Sequence, residues 1–419
     1  MSNSVSRTLL LSPGVAPGVT LGFSYADLCR DMASPEVLLS PWCRPSSLID
    51  TFKKIVRTLV FGSEITLFDA DWTENEIRSL GFASDQLSIV HTVRGLPGLT
   101  PEDLAAAVSV SSCARINLFT SGSTGRPVLV RHSLATLARG VRASPVHCDD
   151  IWGFTYNPTH IAGVQVFLQA LANLNTLVEV RGLDRLAIYE SFRSQRISHV
   201  SATPTFYRLM LPCSAPLPEV RRVVLGGETS SGHLWAELSR VFPSATLRNI
   251  YASTEAGSLL VSDGEVFSVP VEFFDAIVVR EGRLLIHRRL MAEFNGPWIE
   301  DEWYESGDRV ELIVEHPLRF RFLGRAQDCV NVGGHKVDPA EVERLLEAHS
   351  AVAATRVFGR RNSISGEILC AEVVSRDPAL TELDLRLYLG AHLQPAKIPR
   401  VMRFVDQIAV TRSGKRLLP

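Results

Sequence analysis

The sequence predicts an α/β protein: a large N-terminal body of mostly parallel sheets with a small β-rich subdomain, followed by a small mobile C-terminal α+β domain. Three observations predict it. Between residues 115 and 251, short apolar runs alternate with stretches of helical spacing, the signature of βαβ units. Past residue 260, paired strand-like runs flank tight turns instead. Past Gly324 strands and helices alternate again, in a stretch long enough to fold alone.

Residues 115–119 are an apolar run ending in a Gly/Ser/Thr loop. Leu134, Leu137 and Val141 give residues 132–142 helical spacing. Residues 175–180 read as a strand, 186–193 as a helix and 199–202 as a strand. The valine-rich run 220–225 stops at Gly226-Gly227, 231–241 is helical, and 246–251 is a further strand. Residues 276–279 and 283–287 flank Arg280-Glu281-Gly282 as a hairpin, and 310–314 and 318–323 flank another turn. Residues 339–350 form a helix with acids early and His349 late, which suits its dipole. Strands at 352–357, 368–374 and 400–404 and a helix at 380–393 complete the chain. The expected division is a body over 1–324, its β-rich part at about 260–324, a hinge at 325–328 and the mobile domain over 329–419.

Composition narrows the classes. With 46% hydrophobic and 21% charged residues in 419, a disordered chain or a coiled-coil rod is excluded. The formal charge of −2 argues against nucleic acid as a partner. Seven cysteines, odd in number and without a C-x-x-C pair, predict reduced thiols rather than disulfides or zinc. The run Leu9-Leu10-Leu11 is broken by Ser12, Pro13 and Pro17, and no later run approaches the ~18 apolar residues of a membrane span. A cytoplasmic protein without membrane association is expected.

Five segments carry chemistry. Thr120-Ser121-Gly122-Ser123-Thr124-Gly125-Arg126-Pro127 packs hydroxyls and glycines after a strand, so that backbone N–H and side-chain O–H groups converge on a phosphate. It is no Walker A loop, and alone it reads equally well as a flexible turn. Asn249-Ile250-Tyr251-Ala252-Ser253-Thr254-Glu255 offers a flat ring for a purine and a carboxylate for a hard cation, although a buried tyrosine and a helix-start glutamate explain it as simply. Tyr304-Glu305-Ser306-Gly307-Asp308 sets a carboxylate after a glycine turn, able to accept both hydroxyls of a ribose; a lone Gly-Asp is otherwise a turn. Gly324-Arg325-Ala326-Gln327-Asp328, followed by Gly333-Gly334, falls at the domain boundary and doubles as a polar linker. Thr411-Arg412-Ser413-Gly414-Lys415 presents an ammonium on a glycine turn.

In their order and spacing these segments resemble the adenylate-forming superfamily: AMP-forming acyl- and aryl-CoA ligases, peptide-synthetase adenylation domains and firefly luciferase. Pro158-Thr159-His160-Ile161-Ala162-Gly163 resembles the family's segment beside the acyl pocket, and Ser201-Ala202-Thr203-Pro204-Thr205 and Gly226-Gly227-Glu228 resemble the next two pocket strands. The resemblance implies an enzyme that joins a carboxylic acid to ATP, releases pyrophosphate and passes the acyl group to the phosphopantetheine thiol of CoA or an acyl carrier protein. It implies that Thr120, Ser121, Gly122, Ser123, Thr124 and Gly125 grip phosphates. Gly227, Glu228, Asn249, Tyr251, Ser253 and Thr254 would then surround the nucleotide, and Asp308 would bind its ribose. Glu255 would hold Mg²⁺, and Arg325 would orient the nucleotide. His160, Gly163, Pro204 and Ala252 would border the acid, Lys415 would bridge acid and α-phosphate, Gln327 would mark the hinge, and Gly333 and Gly334 would line the thiol tunnel.

Three departures stand out. Val128 replaces the lysine that usually follows the loop proline, Ala252 a common glycine, and Gln327 a hinge acid or lysine. No acid lies in sequence around His160, which points to a substrate without an α-amino group. Two other readings stay open: an adenylate-forming enzyme with a non-thiol acceptor, and an inactive nucleotide- or acyl-adenylate-binding protein.

Overall fold

The computed structural model describes residues 7–13, 20–82, 89–111, 113–120, 127–213, 215–228, 230–300, 302–325, 330–332, 335–362 and 366–409. An eight-stranded sheet dominates the body. Its order is Gly257–Ser262, Thr246–Ser253, Arg222–Gly226, His199–Ala202, Ile151–Phe154, Thr176–Glu179, Thr8–Pro13 and Thr20–Ser24. The interior strands run parallel and only the two edges are antiparallel. The Leu9–Leu11 run, which alone predicts nothing, is thus an interior strand beside Thr176–Glu179. Successive residues face opposite sides: Leu177 joins one core and Val178 the other. The helices Leu48–Phe61 and Ile161–Ala172 cover the first side, where the Phe52 ring stacks on Phe167 at 3.9 Å. Arg185–Ser194, Pro204–Met210 and Gly232–Val241 cover the second.

A four-stranded sheet of Trp42–Cys43, Glu64–Leu67, Arg115–Thr120 and Val128–Ser133 lies beside it. The last strand corrects the helix predicted over 132–142. Val128 to Ser133 pairs antiparallel with Arg115–Thr120, and Ser133 then caps a helix of only Leu134–Leu137. The helical spacing of Leu134 and Leu137 reflects their burial; the β-branched residues upstream decide the strand.

The β-rich part is an antiparallel sheet. Its hairpin Ile277–Arg280/Arg283–His287 turns through Glu281 and Gly282, both at positive φ (50° and 71°), as a primed two-residue turn requires. The C-terminal domain has its own sheet, the helices Pro339–Ala348 and Glu382–Gly390, and a separate core around Val342, Leu346, Val373 and Leu385. No helix among the described residues is long and apolar enough to cross a membrane.

Candidate active site

Parallel strands that expose alternate residues to one face build a wall in rows. Here one such wall lines a cavity of about 760 Å³. Val223 and Leu225 are fully buried behind it, while Arg222, Val224 and Gly226 face the cavity. The neighbouring strands contribute His199, Ser201 and Thr203 on one side and Arg248, Ile250 and Ala252 on the other. Register aligns His199 with Arg222, Ser201 with Val224, Val224 with Arg248 and Gly226 with Ile250. Trp152 extends the wall beside His199, and Trp72, Phe119 and Val166 also line the cavity, so the middle is apolar and aromatic.

The front of the cavity lies at the carboxyl ends of the parallel strands, where α/β sheets bind ligands. Thr120, Gly226, Gly227, Ala252, Ser253 and Thr254 meet there. Side chains without a signal in the sequence hold the turn after Thr254. His132 Nε2 lies 2.7 Å from the Thr254 carbonyl and its Nδ1 3.1 Å from Thr136 Oγ1. Burial drives the His132 pKa down to about 4, so the ring is neutral. Arg139 donates to the Ala256 and Leu290 carbonyls at 3.0 and 2.9 Å. Gly257 has φ +70°, and a Cβ there would stand 2.9 Å from the Thr136 carbonyl. Within this clamped turn, the Glu255 carboxylate has no hydrogen-bond or ion-pair partner among the described residues, while its carbonyl accepts from Ala292 N–H at 2.8 Å.

Asn249 and Tyr251 fall between the cavity-facing positions and point away from it. Asn249 Nδ2 donates to Ser230 Oγ at 3.2 Å, which assigns it to loop support rather than to the cavity. Tyr251 stacks on Phe322 with ring centroids 4.6 Å apart, and its hydroxyl donates to Asp308 Oδ2 at 2.7 Å. Burial and the Asp308 carboxylate raise its pKa well above the usual tyrosine value. Arg325 Nε lies 3.3 Å from Asp308 Oδ1, so the predicted ribose carboxylate is held between a phenol and a guanidinium from two sheets. Glu228 Oε2 accepts from Thr205 N–H at 2.9 Å and from its hydroxyl at 2.7 Å, tying the Gly226-Gly227 turn to the start of the preceding helix, Pro204–Met210.

The acid-pocket residues are redistributed. Pro204 is the buried first residue of its helix and Thr203, its N-cap, lines the cavity instead. Gly163 lies behind the lining, where a Cβ would meet the Asn157 carbonyl oxygen at 2.1 Å; it lets the helix approach that backbone. His160 and Ala252 do line the cavity. The sequence places no acid around His160, but the fold brings one to it. Asp69, 91 residues upstream and just past the Glu64–Leu67 strand, sets Oδ1 3.0 Å from His160 Nε2. The same oxygen accepts from Thr159 Oγ1 at 2.5 Å and Asn157 Nδ2 at 2.9 Å. Burial alone would raise the Asp69 pKa, but these bonds outweigh it and hold the carboxyl below its ordinary range.

Ser121, Gly122, Ser123, Thr124, Gly125, Gln327, Gly333, Gly334 and Lys415 lie outside the described residues.

Residues 63–272 match the family model described as AMP-binding enzyme, and 341–415 match that of the AMP-binding enzyme C-terminal domain. The human mitochondrial acyl-coenzyme A synthetase ACSM2B is 26% identical over 349 residues, covering 71% of this chain and 59% of that protein. A feruloyl-CoA synthase from an Amycolatopsis species is 27% identical over 348 residues, covering 72% and 67%. The chain therefore spans well under the full length of the curated relatives it matches. ATP-bound MatB from Rhodopseudomonas palustris shares the fold with a TM-score of 0.72 at 17% identity, over 99% of this chain and 95% of that one. Matched over both its body and its C-terminal domain, the chain belongs to the AMP-binding, adenylate-forming enzyme family.

Proposed function

We propose that the protein activates a carboxylic acid with ATP and passes the acyl group to the thiol of CoA. The observation that carries this is the form of the cavity: an apolar chamber whose front ends on Thr120, Gly227 and Thr254, with Asp308 and Arg325 paired at an adjoining strand end. An acid oxygen would attack the α-phosphorus of ATP there, forming the acyl–phosphate bond as pyrophosphate departs. The thiol sulfur would then attack the acyl carbon and AMP would leave. Two anions approach in the first step, so fixed positive groups and N–H donors carry most of the rate. Asp308 would exchange its present bonds for ribose hydroxyls while Arg325 faces the phosphates.

Glu255 fits a divalent cation, since its carboxylate lacks a competing partner among the described residues and hard cations take carboxylate oxygen. Mg²⁺ bound there would neutralise phosphate charge. The Ser121–Gly125 loop would grip phosphates, Lys415 would bridge the acid and the α-phosphate, and rotation about 325–328 would then bring Gly333 and Gly334 to the thiol, roles that rest on the family resemblance. With His160 already facing the Asp69 charge, this corner offers no free carboxylate to a substrate ammonium, which favours an acid without an α-amino group. A carrier-protein phosphopantetheine is the alternative acceptor.

The test is pyrophosphate release across a panel of acids, followed by mass detection of acyl transfer to CoA and to a phosphopantetheinylated carrier protein. Acid-dependent release is expected; none with any acid would leave only a binding protein. Gly334→Trp should spare pyrophosphate release and abolish thioester formation. Equal loss of both half-reactions would remove the domain-rotation reading.

A further inference from the structure

The rear of the cavity does not match its middle. Four residues behind Gly226 on one strand and behind Ala252 on the next, roughly 13 Å away along each strand, the lining becomes cationic: Arg222 and Arg248, with Arg142 at the rim. His199 stands beside Arg222 in register, and His147 lies across from it. Arg222 and Arg248 occupy the same cavity-facing series as Val224, Gly226 and Ile250, so alternation turns them toward the cavity at an end that solvent also reaches, where Arg222 is exposed and the Arg248 side chain is 38% exposed.

The negative charge nearby is already engaged. Buried Asp150 faces His147 Nδ1 at 2.9 Å, His199 Nε2 at 3.2 Å and an Arg221 guanidinium nitrogen at 3.0 Å. Among the described residues the ion-pair partner of Arg248 is Asp263 at 3.7 Å, a carboxylate 86% exposed, and such a pair holds weakly. The Arg222 guanidinium makes no ion pair among the described residues. Arg142 donates to the Arg139 and Val141 carbonyls, which leaves its charge uncompensated. An alkyl tail reaching this far would press methylenes against guanidinium groups and strip their water, an unfavourable end for an apolar chamber. A carboxylate would instead meet planar donors suited to bidentate pairing.

We propose that the rear of the cavity is a subsite for a second carboxylate, and that the substrate is an extended dicarboxylic acid activated at the end beside Thr254 and held at the other by Arg248 and Arg222. The assignment of the reacting end rests on the adenylation reading; the rear subsite rests on its own residues.

The experiment compares α,ω-dicarboxylic acids of about eight to twelve carbons, chosen to match the roughly 13 Å span, with the monocarboxylic acids of equal length. Two readouts are taken on the full chain: pyrophosphate release with ATP, and calorimetric binding of each acid, which needs no turnover. About a tenfold or greater preference for the diacids is expected in both. Arg248→Met should erase the preference and Arg248→Lys should restore part of it, with melting temperatures recorded to separate misfolding from lost recognition. Equal or better use of the monoacids by the unaltered protein overturns the proposal and needs no variant; so does a preference that survives in a folded Arg248→Met protein. Diacid binding that depends on Arg248, without pyrophosphate release from any acid, would keep the subsite and remove the adenylation reading. Failure of diacid preference with normal release from monoacids would do the reverse.

Discussion

The cavity wall and the seam between body and C-terminal domain are built on opposite principles. In the wall, position follows from main-chain register: each cavity-facing side chain is fixed by a strand whose other face is packed in a core. Across the seam the partners are charges. Arg208 and Glu347, 7% and 6% exposed, sit 2.9 Å apart, and Ser231 Oγ donates to the same Glu347 oxygen at 3.2 Å. Arg376 pairs with Glu237 at 2.6 Å and Arg309 with Asp338 at 3.6 Å nearer the rim. A buried ion pair adds little net stability beside apolar packing, yet half-breaking it is costly. The wall is therefore rigid by default, whereas the seam is specific in register and weak in adhesion, the combination that the proposed rotation of the domain would require.

The largest effect should come from removing the carboxylate that adjoins the wall's front end. Asp308→Ala removes the acceptor for Tyr251 and for the proposed ribose contacts, and charged hydrogen bonds contribute about 1.5–3 kcal/mol each. A fall in kcat/KM for pyrophosphate release of about 10²-fold or more is expected, against a much smaller change for Tyr251→Phe, which keeps the ring on Phe322. A loss within threefold of the Tyr251→Phe effect would take Asp308 out of nucleotide binding.

On the seam, Arg208→Met leaves the Glu347 carboxylate buried against Ser231 without its guanidinium. The cost should be about 3 kcal/mol, read as a lower urea midpoint with faster hydrogen exchange in Pro339–Ala348. Unchanged exchange there would mean that apolar contacts, not this pair, hold the domain.

The wall's support is also pH-dependent. His132 has its folded pKa near 4, below the ordinary value of 6.5. The unfolded chain takes up the proton first, so this contribution is fully present above 6.5 and is lost as pH falls toward 4. It amounts to at most about 3 kcal/mol. Melting temperature between pH 7 and 4.5 should fall less steeply in His132→Asn than in the unaltered protein; parallel curves would show that the folded state does not lower the affinity of the imidazole for its proton.

These contrasts also explain what could be read from the sequence. The strands at 199–202, 246–251 and 276–287 were legible because each is a short apolar run bounded by turn residues, and the structure places His199–Ala202, Thr246–Ser253 and the hairpin there. The front of the site was legible through Gly227, Thr254 and Asp308, which sit in local motifs. Asp69 was not, because it follows a strand of the four-stranded sheet and meets His160, which follows a strand of the eight-stranded sheet, across 91 residues, and no local spacing records that meeting. Nor was His132, since leucines buried by tertiary packing imitated a helix in which it would point elsewhere. Asn249 and Tyr251 lie inside a legible motif, yet strand alternation turns them away from the cavity, a distinction that motif matching does not make and period-2 alternation does.

The smallest expected effect lies at the seam's rim. Arg376 and Glu237 are 25% and 16% exposed, and Glu237 also faces His233 at 3.6 Å. Arg376→Ala therefore leaves a carboxylate that water can still reach, and should cost no more than about 1 kcal/mol. Its signature is salt dependence rather than size. Screening lengths shrink from about 10 Å at 0.1 M to about 3 Å at 1 M salt, so the gap between the unaltered protein and the variant should close as salt rises. For Arg208→Met it should persist, because no solvent enters that pair. If both gaps closed together, the buried and rim pairs would be equivalent, and the division of the seam into a specific centre and a screened edge would fall.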